Sequence, residues 1–377
     1  MLIKNARIVN PWGETLADVL IQNGKIKKIS KSLTADCVEK IEVEGDMLFP
    51  GFIDVHIHGA GGADFLDEDE EAVNIVSKTC ARYGVTGFLA TTFYKPKQEN
   101  KHLEAVLKRI SKGLDGARFL GFHLEGPFIS RQRKGGIQDS SICNPSVSVL
   151  SDIMEKCKGW LRMMTIAPEL ENAEDVVMLL LKKGVIASFG HSSADYEQTL
   201  KAIRMGVKHV THIFNAMSSI HHRAPGPPLA IFESKDVTVQ IISDGMHIHP
   251  SMIRFITNLL GEDRVILITD GVRSTGLPDG KYVYDGVDFV SIDGTARFVD
   301  GRLIGTSAGM SELARRFLDY TGLPPSSVAK IASLNPARLL GIHERKGSIE
   351  EGKDADLVVI GRDFKVRMTI LDGKIIV

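Results

Sequence analysis

Cysteine is scarce in this chain: Cys37, Cys80, Cys143 and Cys157 are scattered, with no CxxC pair among the four. That excludes a disulfide framework and fits free thiols in a reducing compartment. Long apolar runs are missing too. The longest, Val176 to Leu181, is far short of the roughly 20 residues a spanning helix needs, and the stretch from Met1 to Asn10 lacks the apolar core of a signal peptide. No sign of charge dominates: 46 Lys and Arg face 47 Asp and Glu, so no global field recruits nucleic acid or an anionic membrane. Internal repeats and low-complexity tracts are absent. The expectation is a cytoplasmic protein with neither a nucleic-acid nor a membrane partner. At 377 residues it exceeds the usual single core, which suggests one large domain with a smaller companion.

Both ends of the chain share one grammar. Leu2 to Val9 and Ala17 to Ile29 read as short strands, with Asn23-Gly24 as a hairpin turn because both residues tolerate φ > 0. Ala355 to Ile360 and Val366 to Ile370 repeat the pattern, with Asp372-Gly373 as the turn. A small β-sandwich domain built from residues 1–49 and 346–377 follows, provided the termini lie close together. Between them, strands alternate with helical stretches. Candidate strands are 53–58, 87–93, 119–125, 161–167, 185–190, 209–213, 237–243 and 265–269. Amphipathic stretches at helical spacing include 70–83, 101–112, 173–183 and 194–205. Eight strand–helix units predict an α/β fold, a (β/α)8 TIM barrel over residues 50–345, with active residues at the carboxyl ends of its strands. Four Asp-Gly pairs between Leu277 and Ile304 read as inserted hairpins beside that face, a structural flap ahead of a lid. The stretch from His221 to Pro228 is too rich in Pro and Gly for a helix and reads as a loop over the same rim.

The strand ends carry the chemistry. His56 and His58, Glu125, His191, His212 and Asp270 close strands one, three, five, six and eight. Any one of these histidines could be a core or surface residue; together, imidazoles and carboxylates converging on one rim read as a divalent metal site. His56 and His58 lie two apart on a strand and so share a face, the barrel interior, where an imidazole pair without a partner is costly. Glu125 is a ligand or the partner of a buried cation. His123, one layer deeper, reads as a satisfied core or supporting histidine. Asp270 is placed to take a proton from metal-activated water and return it to a leaving group, with capping of the next loop as its structural alternative. His247, just after strand seven, polarises a carbonyl, binds substrate, or is a surface histidine.

Longer motifs carry a resemblance. Pro50-Gly51-Phe52-Ile53-Asp54-Val55-His56-Ile57-His58-Gly59 resembles the first-strand motif of the amidohydrolase superfamily. Within it, His123-Leu124-Glu125-Gly126-Pro127-Phe128 and His212-Ile213-Phe214-Asn215-Ala216-Met217 resemble the N-acetylglucosamine-6-phosphate deacetylase family. Phe189-Gly190-His191-Ser192, Ser243-Asp244-Gly245-Met246-His247, Ile268-Thr269-Asp270-Gly271 and the segment from Gly347 to Val358 extend that resemblance from one end of the chain to the other.

It implies a phosphorylated amino sugar as substrate and a divalent cofactor, zinc or iron with manganese or cobalt as further options, one or two per subunit. Glu125, His191 and His212 then hold the main metal, His56 and His58 a second, and Asp270 is the general base and acid. Asn215 and Ala216 hold the sugar phosphate, together with Arg223, which in this family reaches across a homodimer. His247 contacts the acetamido group or ring hydroxyls, and Leu303, Ile304 and Gly305 line the pocket. Many members carry a histidine after the Lys-Gly pair that follows Gly-Pro-Phe. Here the segment reads Lys134-Gly135-Gly136-Ile137-Gln138, leaving Gly136 and Gln138 to contact substrate, Gln138 in the histidine's stead. Alternatives are an adenine deaminase or dihydroorotase-like ring opener, and a non-catalytic scaffold. The ring openers bridge two metals with a carboxylated lysine at the end of strand four, where this chain has Thr165-Ile166-Ala167-Pro168-Glu169. Intact Glu125, His191, His212 and Asp270 argue against the scaffold.

Overall fold

The computed structural model describes residues 1–35, 39–43 and 45–377; Cys37 lies outside the described residues. The two ends of the chain meet in one eight-stranded sheet. Its order is Lys374–Ile375, Val366–Leu371, Leu357–Ile360, Met47–Pro50, Leu2–Asn10, Gly13–Gln22 and Lys25–Ser30, with Lys40–Glu42 also paired to Leu2–Asn10. The strands expected to form a sandwich are thus one hydrogen-bonded sheet that branches at Leu2–Asn10, enclosing Ile3, Val19, Leu48, Leu357, Val359 and Ile370. Both hairpin turns form where Asn-Gly and Asp-Gly predict them, with positive φ at Asn23, Gly24, Asp372 and Gly373.

The middle of the chain is the barrel. Its strands are β1 (Phe52–Ile57), β2 (Val85–Thr92), β3 (Arg118–Glu125), β4 (Leu161–Ile166), β5 (Ile186–Phe189), β6 (His209–Val210), β7 (Thr238–Ile241) and β8 (Val265–Leu267). Each pairs in parallel with the next. Backbone bonds from Asp270 to His56 and from His58 to Gly271 close β8 onto β1. A helix follows every strand: α1 (Glu70–Arg82), α2 (Lys101–Ser111), α3 (Val147–Lys156), α4 (Ala173–Lys182), α5 (Tyr196–Met205), α6 (Gly226–Glu233), α7 (Pro250–Leu260) and α8 (Met310–Thr321). Local chemistry sets their starts. Asp69 caps α1, and Asp195 with Gln198 forms a capping box on α5. The helices bury their apolar faces on the outside of the sheet, as Val76, Leu103, Leu180 and Phe317 do. Inside, Ile53, Val55, Leu89, Met163 and Ile266 fill the lower barrel. Asn335 bonds the carbonyls of Glu262 and Val265 at 2.7 Å each from below.

Three expectations change. The loop expected from His221 to Pro228 already starts α6 at Gly226, because proline is tolerated in a first turn, where its missing N–H has no intrahelical partner. Every strand but the third stops one to three residues short of its expected end, and just beyond strands five, six and eight His191, His212 and Asp270 leave the extended conformation. The Asp-Gly insert is an antiparallel meander of Gly280–Tyr284, Val287–Ile292, Thr295–Phe298 and Leu303–Thr306. It packs Phe289, Phe298 and Ile304 with Phe93, Ile129 and Ile137 from the neighbouring loops over the carboxyl rim. No helix among the described residues is long and apolar enough to cross a membrane.

Candidate active site

Six side chains from five strand ends cluster together, with Glu125 at the centre. Its Oε1 lies 3.1 Å from His191 Nε2 and 2.9 Å from His212 Nε2, and those two nitrogens are 3.1 Å apart. On its other side, His58 Nε2 is 3.3 Å from Oε2, and His56 Nε2 is 3.5 Å from Oε1. Asp270 Oδ1 completes this second group, 3.3 Å from His56 and 3.5 Å from His58. All six residues are buried.

The donor set fits a divalent metal. Ligands about 2.0–2.1 Å from a tetrahedral zinc stand about 3.3–3.4 Å from one another. The His56, His58, Glu125 and Asp270 edges span that value, and the His191, His212 and Glu125 edges are a few tenths of an ångström tighter. Tautomers agree. His56 Nδ1 donates to Gln240 Oε1 at 2.9 Å and His191 Nδ1 to the Arg133 carbonyl at 2.8 Å. Each leaves a lone pair on the Nε2 that faces Glu125. The charges of the cluster also pair with one another. Burial pushes the Asp270 carboxyl upward, but the His56 and His58 imidazoles outweigh it and hold it at about 2. Burial pulls His58 down, and the two carboxylates outweigh it, lifting it to about 10. Burial takes His56 the other way, to about 4.

Beneath lies a polar layer. His123 bonds Thr165 Oγ1 at 2.8 Å and Thr91 Oγ1 at 3.2 Å, so it is the satisfied supporting histidine expected of it. Gln240 is the residue sequence reasoning missed. Its Oε1 also accepts from the His212 backbone N–H at 3.2 Å, and its Nε2 donates to His209 Nε2 at 3.0 Å. A lone amide in the apolar run from Val237 to Ile242 was the available signal.

Above the cluster opens a cavity of about 250 Å³, lined by His58, Glu125, His191, His212 and Asp270 of the cluster, with Gly136, Asn215, Ala216, His247, Leu303 and Ile304. His247 Nδ1 donates to the buried Asp244 carboxylate at 2.6 Å, leaving Nε2 for the cavity. Gly305 lies behind Asp270 rather than in the cavity, and a Cβ there would meet the Asp270 carbonyl oxygen at 2.3 Å. Gln138 does not take the missing histidine's place: its amide donates to the Gly136 carbonyl at 3.3 Å, and Ile137 lines the cavity instead. Arg223 is exposed, bonds His222 at 2.8 Å, and is not part of this chain's own cavity. The insert is more than a flap, since Tyr284, Arg302, Leu303 and Ile304 form one wall. Tyr284 and Arg302 had not been expected there. A wider cleft of about 750 Å³, between α2 and the amino ends of β3 and β4, holds none of these residues.

The amidohydrolase family model matches residues 47–376. This chain belongs to that family. The amidohydrolase is 36% identical to N-acetylglucosamine-6-phosphate deacetylase of Bacillus subtilis, over 100% of this chain and 96% of the relative. It is 31% identical to N-acetylgalactosamine-6-phosphate deacetylase of Escherichia coli O157:H7, over 90% of each. It superimposes with a TM-score of 0.92 on a mutant N-acetyl-D-glucosamine-6-phosphate deacetylase from Mycobacterium smegmatis in complex with N-acetyl-D-glucosamine-6-phosphate, at 30% identity, covering 100% of this chain and 99% of that one. Like its family, this amidohydrolase is a metal-dependent hydrolase.

Proposed function

We propose that this amidohydrolase cleaves the acetamide of N-acetyl-D-glucosamine 6-phosphate, giving D-glucosamine 6-phosphate and acetate. The observation that carries the reading is Asp270, held against the His56–His58 edge of the Glu125 cluster at the floor of the cavity. Glu125, His191 and His212 would hold the principal divalent metal, zinc or iron, and His56 with His58 a second. Metal bound there lowers the pKa of a water to about 7 and polarises a carbonyl. Asp270 takes the proton from the attacking water, the new C–O bond forms at the acetamide carbon, and the C–N bond breaks as Asp270 returns that proton to the amine. His247, oriented by Asp244, offers its Nε2 lone pair to the acetamido N–H or a ring hydroxyl. Asn215 and Ala216 hold the sugar phosphate, and Arg223 reaches it from the second subunit of a homodimer. The enzyme works in the cytoplasm.

A dihydroorotase-like mechanism lacks its lysine here: Thr165, near the end of β4, bonds His123 and Thr211 instead. The test is acetate release from N-acetylglucosamine 6-phosphate, its galacto epimer and unphosphorylated N-acetylglucosamine. The expected outcome is turnover of the first, reduced by about 10²–10⁴-fold or more in Asp270→Asn with metal retained. An Asp270→Asn variant keeping more than about a tenth of the rate removes Asp270 as the base. A wild type releasing no acetate from any of the three rejects the function.

A further inference from the structure

Among the described residues, Arg302 is the one lysine or arginine that lines the cavity. The cations of the loop it meets do not line the cavity. Arg131 and Lys134 pair with Asp139 at 3.2 and 2.6 Å, and Arg133 bonds Ser218 at 3.3 Å. Arg302 follows the Asp300-Gly301 turn of the insert, and three contacts fix its guanidinium. Nε donates to Asp300 Oδ2 at 2.8 Å, Nη1 donates to the Gly135 carbonyl at 3.0 Å, and the group lies over the Phe298 ring at 5.2 Å. A guanidinium has five N–H donors; these two bonds leave three. Gly135 belongs to the loop that lacks the expected histidine, and a Cβ on it would touch His191 at 3.4 Å. A planar, permanently charged fork is therefore anchored one residue's width from the metal cluster, at the loop where a donor was missing.

We infer that Arg302 binds the phosphate of the sugar within its own subunit and sets the preference for phosphorylated substrate. The inference rests on the proposed sugar-phosphate function and adds a cation in cis to the arginine expected in trans. Phosphate matches the guanidinium because its oxygens accept two parallel charge-assisted bonds, and the ring beneath holds the plane in place.

The test combines turnover with direct binding. In Arg302→Ala, kcat/KM for N-acetylglucosamine 6-phosphate should fall about 10- to 100-fold, with little change for the unphosphorylated sugar. Arg302→Lys, which keeps the charge but loses the fork and the ring contact, should recover only part of the loss. Arg302→Gln, which can still donate to the Gly135 carbonyl, should behave like alanine. If both sugars lose equally, or if glutamine restores the wild-type ratio, Arg302 only tethers the loop and the inference is overturned. Calorimetry on Asp270→Asn protein, with and without Arg302→Ala, reads the same preference independently of catalysis. Should the wild type deacetylate neither sugar, the function fails, and the calorimetry alone decides Arg302. Weaker binding of the phosphorylated sugar supports it, and unchanged binding overturns it.

Discussion

Replacing Gln240 by methionine tests how the barrel interior prepares the metal ligands. The side chain is fully buried, and methionine nearly matches its length while removing both polar atoms. Three groups lose a partner: the His56 Nδ1–H, the His212 backbone N–H and His209 Nε2. Each unsatisfied buried group costs about 1–3 kcal/mol, so the sum is roughly 3–9 kcal/mol before relaxation. His56 can escape its share by moving the proton to Nε2. That nitrogen faces Glu125 and Asp270, so the escape disables it as a ligand. The variant should therefore melt well below the wild type and bind metal about 10- to 100-fold more weakly. Gln240→Glu keeps the acceptor for His56 and His212, and should retain metal. The assays are melting curves with and without metal, and chelator competition followed by elemental analysis. A Gln240→Met protein with wild-type melting temperature and metal affinity would falsify the argument.

The two donor groups predict a hierarchy. His191→Ala or His212→Ala should lose the principal metal, whereas His56→Ala should lose only a second, weaker one; equal loss by elemental analysis in all three means one shared site. Gly305→Ala places a Cβ 2.3 Å from the Asp270 carbonyl oxygen at φ +143°, so it should cost on the order of 1–3 kcal/mol in backbone strain alone and lower kcat, and an unchanged kcat would show that Asp270 does not depend on this packing. In the terminal sheet, Asp354 meets Lys25, Arg345 and Lys346. Burial raises its pKa, and these cations outweigh that and hold it below the ordinary 3.8. A depressed folded pKa stabilises fully above the unfolded value and is lost as pH falls below it. The melting temperature should accordingly drop more steeply below about pH 4 in the wild type than in Asp354→Asn, and parallel acid limbs would refute the pairing.

The barrel was legible because its causes are local. Strands covered on both faces read as short apolar runs, as Val85–Thr92 does with every residue buried. Helices at 3.6-residue spacing separate them, and Asn-Gly or Asp-Gly marks the hairpins. What escaped notice depends on neighbours distant in sequence. Nothing around Arg302 shows that the insert folds back until its guanidinium meets Gly135, 167 positions earlier. Gln240 meets His56 across 184 positions. Gln138 looked suited to replace a histidine by type, but the turn spends its amide on Gly136.

The site itself breaks the local rules that made the barrel readable. His191, His212 and Asp270 all take positive φ, at 49°, 24° and 50°, a region bulky residues avoid. A pattern of extended residues therefore ran these strands one to three positions too far, through His212 on strand six and up to His191 and Asp270 on strands five and eight. Such conformations persist only where surroundings over-determine them, and here the fixings are visible. The Asp270 N–H donates to the His56 carbonyl and its own carbonyl accepts from Thr306, each at 2.9 Å. The His191 carbonyl accepts from Ser130 at 2.9 Å. His212 is held from both sides, its N–H on Gln240 and its carbonyl accepting from the Asn215 backbone at 3.0 Å and side chain at 3.3 Å. Asn215 thus has a structural duty independent of any sugar. An Asn215 substitution should loosen His212 as well as substrate, so metal affinity and KM should move together there, whereas at Arg302 KM should move alone.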